Sequence, residues 1–110
     1  MIHATIYVNE NHAYTGFDFA GHAGYSEEGT DIVCAAASML VINTLNAIER
    51  YTEDETSCIS NEEEGMIEFR FLEEPSHDAQ LLVKTMLLGL EELEDDNEYE
   101  PYIDIIFEEV

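Results

Sequence analysis

Positive charge is the first thing this sequence is short of: three Lys and Arg stand against 26 Asp and Glu, for a formal net charge of −23. Such a chain repels nucleic-acid phosphate and anionic membrane surfaces. It draws basic partners over roughly a Debye length, about 8 Å in physiological salt. No direct nucleic-acid or membrane partner is therefore expected. Cysteine is scarce as well. Two residues, Cys34 and Cys58, are too few for the disulfide framework of a small secreted domain. There is no CxxC pair, no phosphate-cradling glycine loop and no GxSxG elbow. His3, His12 and His77 are scattered without metal-ligand spacing, and the acidic runs lack the spacing of a calcium loop, so neither metal nor cofactor is expected. No segment offers about 18 unbroken apolar residues for a membrane span. The opening MIHATIYVNE has neither a basic stretch nor a long apolar one, so no signal peptide is expected and the cytoplasm is the expected location.

What remains is a chain of 110 residues, 45% hydrophobic, enough to bury a core as a single domain over residues 1–110. IHATIYV alternates Ile2, Ala4, Ile6 and Val8 on one face, the period of a half-buried strand. YTGFDFA repeats the pattern with Phe17 and Phe19. Thr30 is a candidate N-cap, and DIVCAAASMLVINTLNAIERY then reads as a helix of about five turns. Its first half is apolar nearly all round, which suits burial and part of a subunit interface. TSCIS and GMIEFRFLE read as two further strands, with Ile67, Phe69 and Phe71 on one face and Cys58 as a packed core thiol. Pro75 opens a second helix, SHDAQLLVKTMLLGLEEL, carrying Leu81, Leu82, Thr85, Leu88 and Leu93 along its side. EDDNEYEP reads as a solvated connection, and YIDIIFEEV as the closing strand. The expected fold is α+β, five strands and two helices in the order ββαββαβ, with the helices on a mostly antiparallel sheet.

The stretch GHAGYSEEGTDIVCAAASML carries the candidate chemistry. Cysteines in apolar helices are usually small core hydrophobes. Two features single out Cys34: a predicted place near a helix start, where unpaired N–H groups favour an anion, and His22 one loop upstream to take or share its proton. Ser38 lies four residues on, hence on the same helix face. It can donate a hydrogen bond to substrate or sulfur, or bond back to its own helix. Asp31 can hold the imidazole as a third member or stabilise the helix start, and spacing does not decide between them. Gly21 and Gly24 flank the histidine. A glycine-bracketed loop at 23–30 has the make-up of a lid over a nucleophile.

The segment GHAGYSEEGTDIVCAAASMLVINTLNAIE, which holds those residues, resembles the signature of the bacterial ribosomal-processing cysteine proteases, the Prp family. The shared pattern is a GHA element, a glycine-containing loop, then DIVCA with a serine four residues past the cysteine. QLLVKTMLLGLEEL and the final strand resemble the family's C-terminal half. The resemblance implies a small homodimeric cysteine endopeptidase. Its substrate is a basic large-subunit ribosomal protein, number twenty-seven, whose short N-terminal extension is removed after a pair of aromatic residues. By motif, the nucleophile falls on Cys34 and its base on His22. Gly21, Asp31 and Ser38 take accompanying, substrate-side positions. Two rivals stand beside this reading: a non-enzymatic acidic binding module or chaperone for a basic ribosomal protein, and a redox switch pairing Cys34 with Cys58.

Overall fold

The computed structural model describes residues 1–21, 28–61, 63 and 65–110, and within the helix beginning at residue 28 it describes side chains from residue 32 on. Five strands and two long helices follow one another as β1 (Ile2–Val8), β2 (Tyr14–Ala20), α1 (Glu28–Tyr51), β3 (Thr56–Asn61), β4 (Met66–Phe71), α2 (His77–Asp95) and β5 (Ile103–Glu109). This is the expected ββαββαβ order. One addition is a 3-10 turn, Glu100–Tyr102, which takes the end of the connection read as solvated and the first residue expected in the closing strand, with Pro101 near its start.

The sheet order is β3-β4-β2-β1-β5. β1 pairs parallel with β5, and the other neighbours are antiparallel. β2 and β3 therefore run the same way with β4 between them, so α1 is a crossover from the centre to one edge. Likewise β4 and β5 run the same way, and α2 crosses over β2 and β1 to the other edge. Because β2 and β4 are antiparallel and the crossovers leave in opposite directions, right-handed connections put both helices on one face. The core forms there. Ile2, Ala4, Ile6, Phe17, Phe19, Phe69 and Ile103 are buried beneath Val33, Ala37, Val41 and Ile48 of α1 and beneath α2.

Two local expectations need correction, and the structure shows which side of α2 is buried. The buried side of α2 is Ala79, Val83, Met86, Leu87 and Leu90, at i, i+4, i+7, i+8 and i+11, whereas Leu81 and Leu88 are exposed. From the other side Leu82 and Leu93 still pack partly against the core, while small Ala79 on the buried side allows close approach. Burying Val83, Met86, Leu87 and Leu90 contributes about 6–12 kcal/mol in all, at about 1.5–3 each. The helix is capped by Ser76, whose Oγ accepts from the Ala79 N–H at 3.2 Å and donates to Asp54 at 2.6 Å, rather than being opened by Pro75 itself. Thr30 lies inside α1, since that helix begins at Glu28.

Within α1 the span Ile32–Tyr51 is long and apolar enough, by length and composition, to cross a membrane. It instead lays Val33, Cys34, Ala37, Val41 and Ile48 onto the sheet while Ile32, Met39 and Ile42 stay exposed.

The opposite face of the sheet carries a polar ladder. Tyr7 Oη donates to Asp18 at 2.5 Å, Arg70 Nη1 donates to Asp18 at 2.8 Å, and the Arg70 guanidinium lies 4.3 Å from the centre of the Tyr7 ring. Gly16 separates Tyr7 from Arg70 in the register. A Cβ there would meet Arg70 Cδ at 2.7 Å, so the glycine leaves the gap through which the arginine reaches across β2.

Candidate active site

The strand ends build the site. β2 finishes at Ala20, and Gly21 then donates its N–H to the carbonyl of Gly65 at 2.9 Å. Gly65, at φ +62°, begins the return into β4. A Cβ on Gly65 would fall 1.7 Å from the Gly21 carbonyl oxygen, so two backbones touch where side chains are excluded. Beside this junction opens a cavity of about 470 Å³, within the usual range for ligand sites. Its helix wall is one stripe of α1: Cys34, Ser38, Ile42 and Leu45, at i, i+4, i+8 and i+11. Facing it are Cys58 and Ser60 of β3, and Phe19 and Ile67 line it from the inner strands.

Cys34 is buried, with 8% of its surface exposed, and its Sγ lies 3.9 Å from Ser38 Oγ, where either atom can donate. The sequence expectation that these two share a face is met. The expected place of Cys34 in the first turn or so becomes the second turn. The residue lies six positions after Glu28, a rise of about 9 Å. The unpaired N–H groups and the dipole's positive end belong to the helix's first turn, whereas Cys34 lies in its second. The misreading came from assigning Glu28 and Gly29 to the loop, although the helix continues through them.

Cys58 corrects a second expectation. It is an exposed free thiol rather than a core one. Although the residue is exposed overall, partial desolvation pushes its thiol above the ordinary value, the opposite of what a nucleophile needs. Of the remaining predicted residues, Gly21 lines the same cavity as Cys34, and Asp31 lies in α1 three positions before it. His22 and the loop residues 23–27 lie outside the described residues, so the expected imidazole partner and lid have no geometry to compare. Ile42, Leu45, Ser60 and Gly65 were missed. The two helix residues were recoverable by extending the Cys34–Ser38 spacing along α1. Ser60 and Gly65 were not, because their place depends on which strand ends at the edge. Among the described residues, no group of three or more His, Cys, Asp and Glu is placed to hold a metal ion.

The same fold and sequence pattern occur in a known family. The family model described as cysteine protease Prp matches residues 1–104. A protein of Bacillus subtilis strain 168, named ribosomal processing cysteine protease Prp, is 34% identical over 100 residues, covering 87% of this chain and 89% of that one. The crystal structure of an essential ribosomal processing protease Prp from S. aureus in complex with a substrate peptide superposes with a TM-score of 0.91 at 30% identity, covering 98% of this chain and all of that one. The same S. aureus protease with a covalently linked product peptide gives a TM-score of 0.86 at 32% identity, with the same coverage. The class is thus a cysteine protease. More narrowly, the chain belongs to the cysteine protease Prp family, and the non-enzymatic alternative gives way.

Proposed function

We propose that this protease removes the short N-terminal extension of a basic large-subunit ribosomal protein, number twenty-seven, in the cytoplasm, before or during ribosome assembly. The observation that carries the reading is Cys34, a buried thiol opening onto a peptide-sized cavity in a chain of this family. Cys34 Sγ attacks the scissile carbonyl carbon. His22, bonded directly to the cavity-lining Gly21, takes the thiol proton and passes it to the leaving amine as the C–N bond breaks. Water then hydrolyses the thioester, releasing the carboxylate product and restoring the thiol. Ser38 restrains the sulfur from one helical turn away. Gly21 and Asp31 serve the substrate side.

The charge of −23 favours a basic substrate and disfavours ribosomal RNA, which points to action on the free protein before it is assembled. A homodimer is part of the same reading. Met39, 68% exposed on α1, and Leu88, 63% exposed on α2, leave apolar surface for a second copy. Sedimentation should then give twice the chain mass.

The decisive test is incubation with a peptide spanning the extension. The wild type should cut it after the aromatic pair, while Cys34→Ala should lose about 10³-fold or more in kcat/KM and keep fold and binding. Undiminished cleavage by that variant overturns the proposal.

A further inference from the structure

The two edges of the sheet are protected very differently. β5, at one end, carries Asp104, Glu108 and Glu109, charges that discourage another chain from pairing with it. β3, at the other end, is TSCISN: no charge, no proline and no glycine in a protein with 26 acids. Among the described residues no strand lies beyond it. It is also the strand that borders the Cys34 cavity.

The register shows which backbone groups that edge offers. Leu72 N–H donates to the Glu55 carbonyl at 2.9 Å, and Thr56 is paired with Phe71, so residue 55 is directed at β4. Antiparallel ladders alternate, so Ser57 and Ile59 also face β4, whereas Thr56, Cys58 and Ser60 turn their N–H and C=O groups outward. The side chains of these three residues lie on the same face as Ile67, Phe69 and Phe71, their partners in the register. The outward-facing backbone and the cavity wall are therefore supplied by the same alternate residues, Cys58 and Ser60.

We infer that the outer edge of β3 is the docking rail for the substrate, which adds to the sheet as a sixth, antiparallel strand. Resting on the protease reading above, this deepens it by naming what is recognised: an extended, uncharged backbone segment beside the scissile bond. Residues of the peptide paired with Cys58 and Ser60 direct their N–H groups at β3 and drop their side chains toward the cavity between α1 and β3. Main-chain bonds hold the peptide in register, the cavity selects large apolar side chains at alternate positions, and acids elsewhere attract the basic remainder without a charge on the rail itself.

The test is a scan of the extension peptide in which each backbone amide in turn is N-methylated, with binding measured on Cys34→Ala and cleavage on the wild type. Methylation at every second residue should weaken binding by about tenfold or more, through one lost hydrogen bond and a steric block, with the residues between nearly unaffected. Cys58→Pro, which removes an outward N–H compatibly with an edge strand, should weaken the parent peptide comparably while circular dichroism stays unchanged. If the parent is cleaved but the scan shows no two-residue alternation, the rail is wrong and the protease reading stands. Alternating binding with no cleavage by the wild type supports the rail and sinks the substrate assignment. A parent peptide neither bound nor cleaved overturns both.

Discussion

The two helices cover the same sheet to different effect. Under α2 the interface is closed: Ala79, Val83, Met86, Leu87 and Leu90 are each at most 2% exposed. Under α1 the sealed stretch stops short of the edge, and the stripe from Cys34 to Leu45 looks across an open cavity at β3. The cause is breadth. Five strands spaced about 4.8 Å apart, with side chains beyond the outer ones, are somewhat wider than two helices packed 8–10 Å apart can roof. α2 and the turn at Glu100–Tyr102 close the β5 side, so the uncovered strip falls on β3. Both helices bury core residues against the sheet, but only α1 also borders the open rim that holds the candidate chemistry.

The largest break in that contrast comes from truncating equivalent leucines. Leu90→Ala should cost about 2–5 kcal/mol, lowering Tm by about 10–20 °C. Leu45→Ala, half-buried on the cavity wall, should cost about 1 kcal/mol. Equal shifts in calorimetry would mean the cavity is as tightly packed as the core. Next comes Gly65→Ala, which forces an unfavourable positive φ and a collision with the Gly21 carbonyl. Its stability loss should be about 1–3 kcal/mol, accompanied by a larger proportional loss of peptide cleavage than Leu90→Ala shows at a temperature where both variants are folded.

The acid limb of stability gives a third, smaller effect on the sheet's other face. Burial pushes the Asp18 carboxyl up, but hydrogen bonds from Arg70 and Tyr7 outweigh it and hold the group below its ordinary value of 3.8. A depressed carboxylate stabilises the fold above its unfolded pKa and loses that contribution as pH falls through the folded one. Asp18→Asn should therefore lower stability at neutral pH and flatten the decline in acid below about pH 4, read from denaturant midpoints against pH. A decline as steep as that of the wild type would show that the ladder is electrostatically idle. The smallest effect should be Cys58→Ser, within about 0.5 kcal/mol by the same midpoints, because the thiol is exposed. A wild-type digest kept unreduced after mild oxidation also checks the redox reading: a Cys34–Cys58 bridge in the mass spectrum would support it.

Sequence patterning made the strands legible because Ile2, Ala4 and Ile6, like Phe69 and Phe71, alternate cleanly against one buried face. It also exposed the Cys34–Ser38 pair, since both lie on one continuous element. It failed where two answers were locally equivalent. Apolar residues on more than one side of α2 leave open which side meets the sheet, and a strand such as TSCISN carries no mark of standing at an edge. The cavity escaped for the same reason, because its walls come from α1, β3 and the Gly21–Gly65 junction, segments joined only by topology.

That junction has a consequence for how the protein can vary. Positions 21 and 65 are locked by main chain against main chain, so no compensating change in a neighbouring side chain can make room for a methyl group on Gly65. A library randomised around the nucleophile should therefore drift freely along the helix wall yet return glycine at 65 in its most active clones, a position fixed by handedness rather than by chemistry.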